Sequence, residues 1–325
     1  MFRRIAMATT LLAFVVVVFG AYVRLTDAGL GCPDWPGCYG QMLVPDAGEI
    51  DTTDPVFSER PLETGKAWRE MAHRYLAGLL GVLIAVLAVL AWRNRDDNQQ
   101  PVVLPLLLVV LVVFQALLGM WTVTLLLKPA VVTAHLIGGM TTLALVFWVA
   151  HTAGMHQRLS GTPALRRFAV LALLVVAAQI VLGGWTSANY ASLACPDFPR
   201  CQNAWWPDSD FGEAFVLWRG IGIDYEGGVL EHPARVAVHF THRLGALFTL
   251  LVVGTFAAGM LSQYRHRLRA TGAAVVVLLL TQFGLGIAIV LYGVPLGIAT
   301  AHNAIAVLLL LSVVNANRAL RYEVG

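Results

Sequence analysis

The chain has 325 residues, of which 58% are hydrophobic and only 13% charged, an apolar excess far beyond that of a soluble domain. Composition therefore excludes a protein whose main solvent is water. The formal net charge of +3 calls for no nucleic-acid partner.

A membrane-crossing helix needs about 20 mostly apolar residues. Eight such stretches follow in chain order, at 5–25, 70–92, 102–127, 131–151, 167–187, 235–261, 270–292 and 298–317. The fold expected is an all-α membrane protein of eight transmembrane helices. The first stretch follows Met1-Phe2-Arg3-Arg4 and could be a signal peptide. Its apolar run is long, however, and no small-x-small site precedes Tyr22-Val23-Arg24, so it is read as a retained helix.

Basic residues set the orientation. Arg3, Arg4, Arg93, Arg95, Arg158, Arg166, Arg167, Arg265, Arg267, Arg269, Arg318 and Arg321 fall on one side, which the positive-inside rule makes cytoplasmic. Both termini are expected there. The long loops 26–69 and 188–234 then lie outside and, with the adjoining helix ends, carry nearly all the acidic residues.

Each outer loop holds a cysteine pair in the pattern C-P-D-aromatic-P-x-C, Cys32 with Cys38 and Cys195 with Cys201. An even count in an oxidising compartment favours disulfides Cys32–Cys38 and Cys195–Cys201. A zinc clip is the competing reading, but neither loop offers an obvious second pair of ligands.

The same features return along the chain at a nearly fixed offset. Gly20, Cys32 and Cys38 match Gly183, Cys195 and Cys201, each 163 residues on. His73-Arg74 matches His242-Arg243 at 169, and Gln115, Gly119 and Thr133-Ala134-His135 match Gln282, Gly286 and Thr300-Ala301-His302 at 167. An even number of spans per unit makes this a parallel repeat. Two tandem four-helix bundles are expected, residues 1–160 and 161–325.

Of nine histidines, His151, His156 and His266 fall at cytoplasmic helix ends or loops, and His232 in the second outer loop. The other five, His73, His135, His239, His242 and His302, lie within about two turns of the outer ends of the even-numbered helices. A lone membrane histidine often just bonds a neighbouring helix. Four at one depth, repeated in both halves, point to iron ligands instead, because two imidazoles from opposite helices can clamp a porphyrin inside a bundle. His73 with His135 and His242 with His302 would make two such clamps, whereas zinc or copper sites want ligands converging on one point.

Arg74 and Arg243 follow their histidines directly. They either pair with haem propionates or simply reach the outer interface. Glu70 shares a helix face with His73, while the matching position before His242 is His239. A carboxylate beside one clamp alone suits acid-base or electrostatic work in the first half; the plainer alternative is a residue favoured by the helix start.

These residues resemble the haem A synthase family, in its cysteine-containing bacterial branch, over essentially the whole chain. The likeness rests on Glu70-x-x-His73-Arg74, Thr133-Ala134-His135, His242-Arg243, Ala301-His302, the two cysteine loops, and Gly222-Ile223-Asp224-Tyr225-Glu226-Gly227-Gly228 ahead of Pro233-Ala234-Arg235.

The resemblance implies an enzyme of the bacterial inner membrane that oxidises a methyl group of haem O to the formyl group of haem A for terminal oxidase assembly, with water as the suspected oxygen source. It further implies haem b between His242 and His302 as cofactor, haem O as substrate near His73 and His135, and Glu70 as the catalytic carboxylate. Candidate partners are a haem O synthase, a membrane electron-transfer protein and a second copy of the chain. Rival readings are a di-haem b-type electron carrier and, from another class, a haem transporter. Transporters usually carry broken midplane helices, and no matched pair of such segments is evident.

Overall fold

The computed structural model describes residues 1–51, 53–97, 100–153, 156–157 and 161–323, with only the backbone described at 156–157 and 322–323. The half boundary drawn at residue 160 and the positive-inside residue Arg158 lie outside these. Among the described residues eight helices are long and apolar enough to cross a membrane: Phe2–Leu25, Thr64–Arg93, Val103–Thr124, Pro129–Thr152, Pro163–Ala188, His232–Leu261, His266–Leu291 and Leu296–Ala319. The chain is an all-helical multi-pass membrane protein.

Local chemistry explains several helix boundaries. Pro129, Pro163 and Pro233 stand in first turns, where a missing N–H costs nothing. Thr162 caps the fifth span by accepting a hydrogen bond from the Leu165 N–H at 3.2 Å. The third and seventh spans end alike, in two consecutive left-handed residues, Leu126-Leu127 and Gly293-Val294. Leu127 N–H to Thr122 O and Val294 N–H to Ile289 O, both 2.8 Å, close these turns.

The second and sixth spans start earlier than their apolar content predicts, at Thr64 rather than 70 and at His232 rather than 235. The extra turns carry Lys66, Arg69 and His232, which no apolar window includes. Packing under the loops keeps them helical: Ala67 and Met71 are buried against Cys32, Cys38 and Tyr39, and Ala234 and Ala237 against Trp185 and Leu230. Short pieces add to the frame. Helical turns occur at Ala47–Glu49, Pro55–Ser58 and Phe211–Ala214, and His156–Gln157 pairs antiparallel with Tyr322–Glu323.

Spans one to four form a ring in which the first packs on the second and fourth, and the third joins those two. Spans five to eight repeat that arrangement. The two bundles meet where the fourth span contacts the fifth and eighth and the first contacts the eighth. One apolar cluster runs through the junction, including Met140, Leu143, Val146, Ala172, Val176, Leu310 and Val313. Close van der Waals packing is what such contact supplies in lipid. Leu11, Leu79, Val82, Val110, Leu174, Val277 and Leu280 are exposed on the spans, as suits an acyl-chain solvent.

Candidate functional site

On the face bearing the cysteine loops, each loop is closed by a disulfide, Cys32–Cys38 and Cys195–Cys201. The pattern predicted from sequence folds the same way twice. Asp34 accepts hydrogen bonds from the Tyr39 and Gly40 N–H groups (2.7 and 2.9 Å), and Asp197 accepts from those of Gln202 and Asn203 (2.6 and 2.9 Å). Burial opposes ionisation of Asp197, but these backbone N–H groups outweigh it and hold its carboxyl below the ordinary value.

Beneath the first loop sits Glu70, 5% exposed. Its Oε2 accepts the Cys32 N–H at 2.9 Å and its Oε1 pairs with Arg74 at 2.5 Å. The Arg74 guanidinium also donates to the carbonyls of Pro36 and Gly37. In the second half His239 occupies the corresponding place: its Nδ1 faces the Cys195 N–H and its Nε2 the Arg243 Nε, both at 3.3 Å. Arg243 donates besides to the carbonyls of Cys195, Asp197 and Arg200 at 2.6–2.9 Å. Both positions therefore fasten a loop to a helix, and the chemical difference between them is a carboxylate against an imidazole. The two arginines expected at propionates have donors engaged by these loop carbonyls.

One turn deeper lie the four histidines. His73 and His135 come from spans of one four-helix ring, and His242 and His302 from spans of the other. Each ring rests against a glycine of the preceding span. A Cβ on Gly20 would stand 2.8 Å from His73 Nε2, and one on Gly119 3.5 Å from His135 Cε1. On Gly183 it would stand 3.2 Å from His242 Cε1, and on Gly286 3.3 Å from His302 Cε1. The glycines that mark the repeat in the sequence are thus the ones that leave room for the rings.

Glutamines finish the surroundings. Gln282 Nε2 lies 3.0 Å from His302 Nε2, and Gln179 Nε2 lies 3.1 Å from His242 Nδ1 and 3.0 Å from the His242 carbonyl. Sequence reading missed Gln179 because the matching position 163 residues earlier is Val16, so the repeat does not flag it. Buried polar atoms without partners cluster in the same layer, among them His135 Nδ1, His302 Nδ1, Gln115 Nε2 and Gln282 Oε1. Among the described residues no group of three or more His, Cys, Asp or Glu could hold a bare metal ion. One imidazole of each pair has a buried ring nitrogen without a partner, and with no converging third ligand such a pair would suit holding a porphyrin iron rather than a bare ion.

A further feature went unread in the sequence. The second loop reaches across to the first bundle, where the Tyr225 N–H donates to Leu126 O at 3.1 Å. Tyr225 is buried with Leu30, Val123 and Leu127, which pushes its phenol pKa up. Arg60 of the first loop pairs with Asp224 at 2.6 Å and Glu226 at 3.0 Å. Lys128, 2% exposed, packs its ammonium 3.1 Å from the centroid of the Trp218 ring and donates to the Gly220 carbonyl, and burial lowers its pKa. The glycine-rich stretch singled out by the family resemblance thus lies over the loop-side end of the first bundle.

Eight membrane helices in two bundles, each with a pair of buried histidines beneath a disulfide loop, define a polytopic membrane protein with paired intramembrane imidazoles. The chain belongs to the COX15-CtaA family of cytochrome oxidase assembly proteins, whose model matches residues 3–314. It is 42% identical over 322 residues to the Heme A synthase of Shewanella oneidensis, covering 97% of this chain and 94% of that one. Similarity extends at 29% identity to the Heme A synthase of Halalkalibacterium halodurans, over 91% of this chain and 89% of that one. With the protein of the same name from Chelativorans identity is 30%, over 91% and 84%.

Proposed function

We propose that this chain is a haem A synthase of the bacterial inner membrane, oxidising the methyl group of haem O to the formyl group of haem A. One observation carries the division of labour: two like histidine pairs lie under like loops, and only the first has a buried carboxylate, Glu70, beside it. On this reading the first half receives haem O between His73 and His135, and the second holds haem b between His242 and His302. The termini lie in the cytoplasm and the cysteine loops in the periplasm, as the arginine distribution favours.

Bound between His242 and His302, haem b supplies a one-electron redox centre. The chain's own residues do the rest. His73 and His135 fix the substrate iron and so the position of its ring edge. The segment bearing Trp218 and Tyr225 excludes water from the loop side of that site. Taking a methyl group to an aldehyde with water as oxygen source oxidises two C–H bonds by two electrons each, and the electrons must leave to a membrane electron-transfer partner while the protons pass to a base. Glu70 is the group placed to accept a proton or to stabilise positive charge developing at the carbon. Arg74 keeps that carboxylate in place, and a propionate role for Arg74 and Arg243 would require them to share donors with the loop carbonyls.

Expression beside a haem O synthase, followed by chromatography of extracted haems, tests the reading. Haem A is expected, and haem O alone would refute it. A di-haem electron carrier, favoured only by the likeness of the two pairs, would carry haem B and leave the haem O of the membrane unconverted, with no haem A.

A further inference from the structure

Two half-buried cations in the loop-side turns of the second and sixth spans have no role in the mechanism above. Arg69 and Arg235 are each partly buried, and the Nε of each is buried without a hydrogen-bond partner. Among the described residues neither guanidinium has a hydrogen bond, ion pair or ring contact. Nearby cations are all engaged: Lys66 with Glu63 at 2.7 Å, Arg74 with Glu70 and the first loop, Arg243 with the second loop.

Their spacing is informative. Arg69 precedes His73 by four residues and Arg235 precedes His242 by seven. Both intervals return a helix to the same face, about 6 and about 10.5 Å toward the loop side at 1.5 Å per residue. Arg74 and Arg243, one residue after their histidines, point about 100° away. The pattern is not a simple copy, since Val238, buried, stands where the second half would match Arg69. Each half has instead one unpaired guanidinium above its histidine, reached by a different register.

A buried guanidinium N–H without an acceptor is costly, and an arginine at the membrane boundary is stabilised by an anionic partner. Its planar fork matches a carboxylate in bidentate fashion. We infer that Arg69 and Arg235 are the carboxylate receptors of the two histidine sites, each binding a propionate of the tetrapyrrole held in its own half. The inference rests on the placement of tetrapyrroles at the histidine pairs under Proposed function. It moves the anion contact from Arg74 and Arg243, whose work is to fasten the loops, to the two arginines on the ligand face.

The test is a titration of purified, haem-depleted full-length protein in detergent with iron protoporphyrin IX and with its dimethyl ester, followed by the Soret band. A His135→Ala background reports the second site, and a His302→Ala background the first. Each parent is expected to bind the free acid about tenfold or more tighter than the ester. Arg235→Gln should abolish that preference at the second site and Arg69→Gln at the first, by weakening the acid and leaving the ester unchanged. Arg235→Lys and Arg69→Lys, which keep the charge without the fork, should retain part of it and cover the case where the Gln variants fail to fold. An acid-to-ester ratio unchanged in the Gln or Lys variants overturns the inference. Unaltered binding when His242 and His302 are both replaced by Ala would instead overturn the haem placement itself.

Discussion

Replacing Glu70 with Gln keeps the shape and an oxygen able to accept the Cys32 N–H, and removes only the charge. The ion pair with Arg74 becomes a neutral hydrogen bond, so the structural loss should be about 1–3 kcal/mol. Arg74 keeps its carbonyl acceptors at Pro36 and Gly37, which holds the cost below that of stranding a buried charge. Loss of a general base is of order 10²–10⁴ in rate. The two effects are thus separable. In membranes co-expressing a haem O synthase, chromatography should find haem O accumulating and haem A reduced at least about a hundredfold, with normal protein abundance and a normal haem b spectrum. Glu70→His copies the second half, where an imidazole fastens the loop, and should likewise fold and fail to oxidise. Haem A formed at the normal rate by stably expressed Glu70→Gln would refute the reasoning, leaving Glu70 as a loop fastener alone.

Gly20→Val should displace the His73 ring, since even a Cβ would stand 2.8 Å from its Nε2. Overpacking of about 1–3 kcal/mol should appear as loss of haem O retention with the haem b spectrum intact, and Gly183→Val should do the converse. Arg60→Ala removes the pairs with Asp224 and Glu226, which are partly exposed and worth about 1 kcal/mol or less. Thermal stability should barely change, while hydrogen exchange in 218–228 rises, and no change in exchange would argue against these pairs holding the second loop over the first bundle. The lowered carboxyl of Asp197 stabilises the second loop fully above its unfolded value of about 4, and this is lost as pH falls through the lower folded value. Amide exchange at Gln202 and Asn203, corrected for intrinsic rates, should accelerate on acidification in the native protein and be pH-insensitive in Asp197→Asn.

Much of the molecule was legible in one dimension because lipid imposes a one-dimensional rule. Backbone polar groups must be satisfied within each crossing, so eight apolar runs read directly as eight helices, and the two cysteine motifs carried the instructions for their own disulfide loops. Depth is legible as well, because position along a helix is counted in residues, and this placed Glu70, His73, His135, His242 and His302 in two layers. What no count supplies is azimuth and partnership. That Glu70 and His239 do the same mechanical work follows from where two loops fold back, over separations of 38 and 44 residues. Only the packed bundles decided that Gln179 meets His242, and that the second loop crosses to cover the first half. They also decided that Arg74 and Arg243 are taken by the loops while Arg69 and Arg235 have no anionic partner among the described residues. Sequence fixes which side chains share a helix face and a depth, but satisfying a buried charge depends on atoms brought from elsewhere in the chain, and those arrive with the tertiary structure.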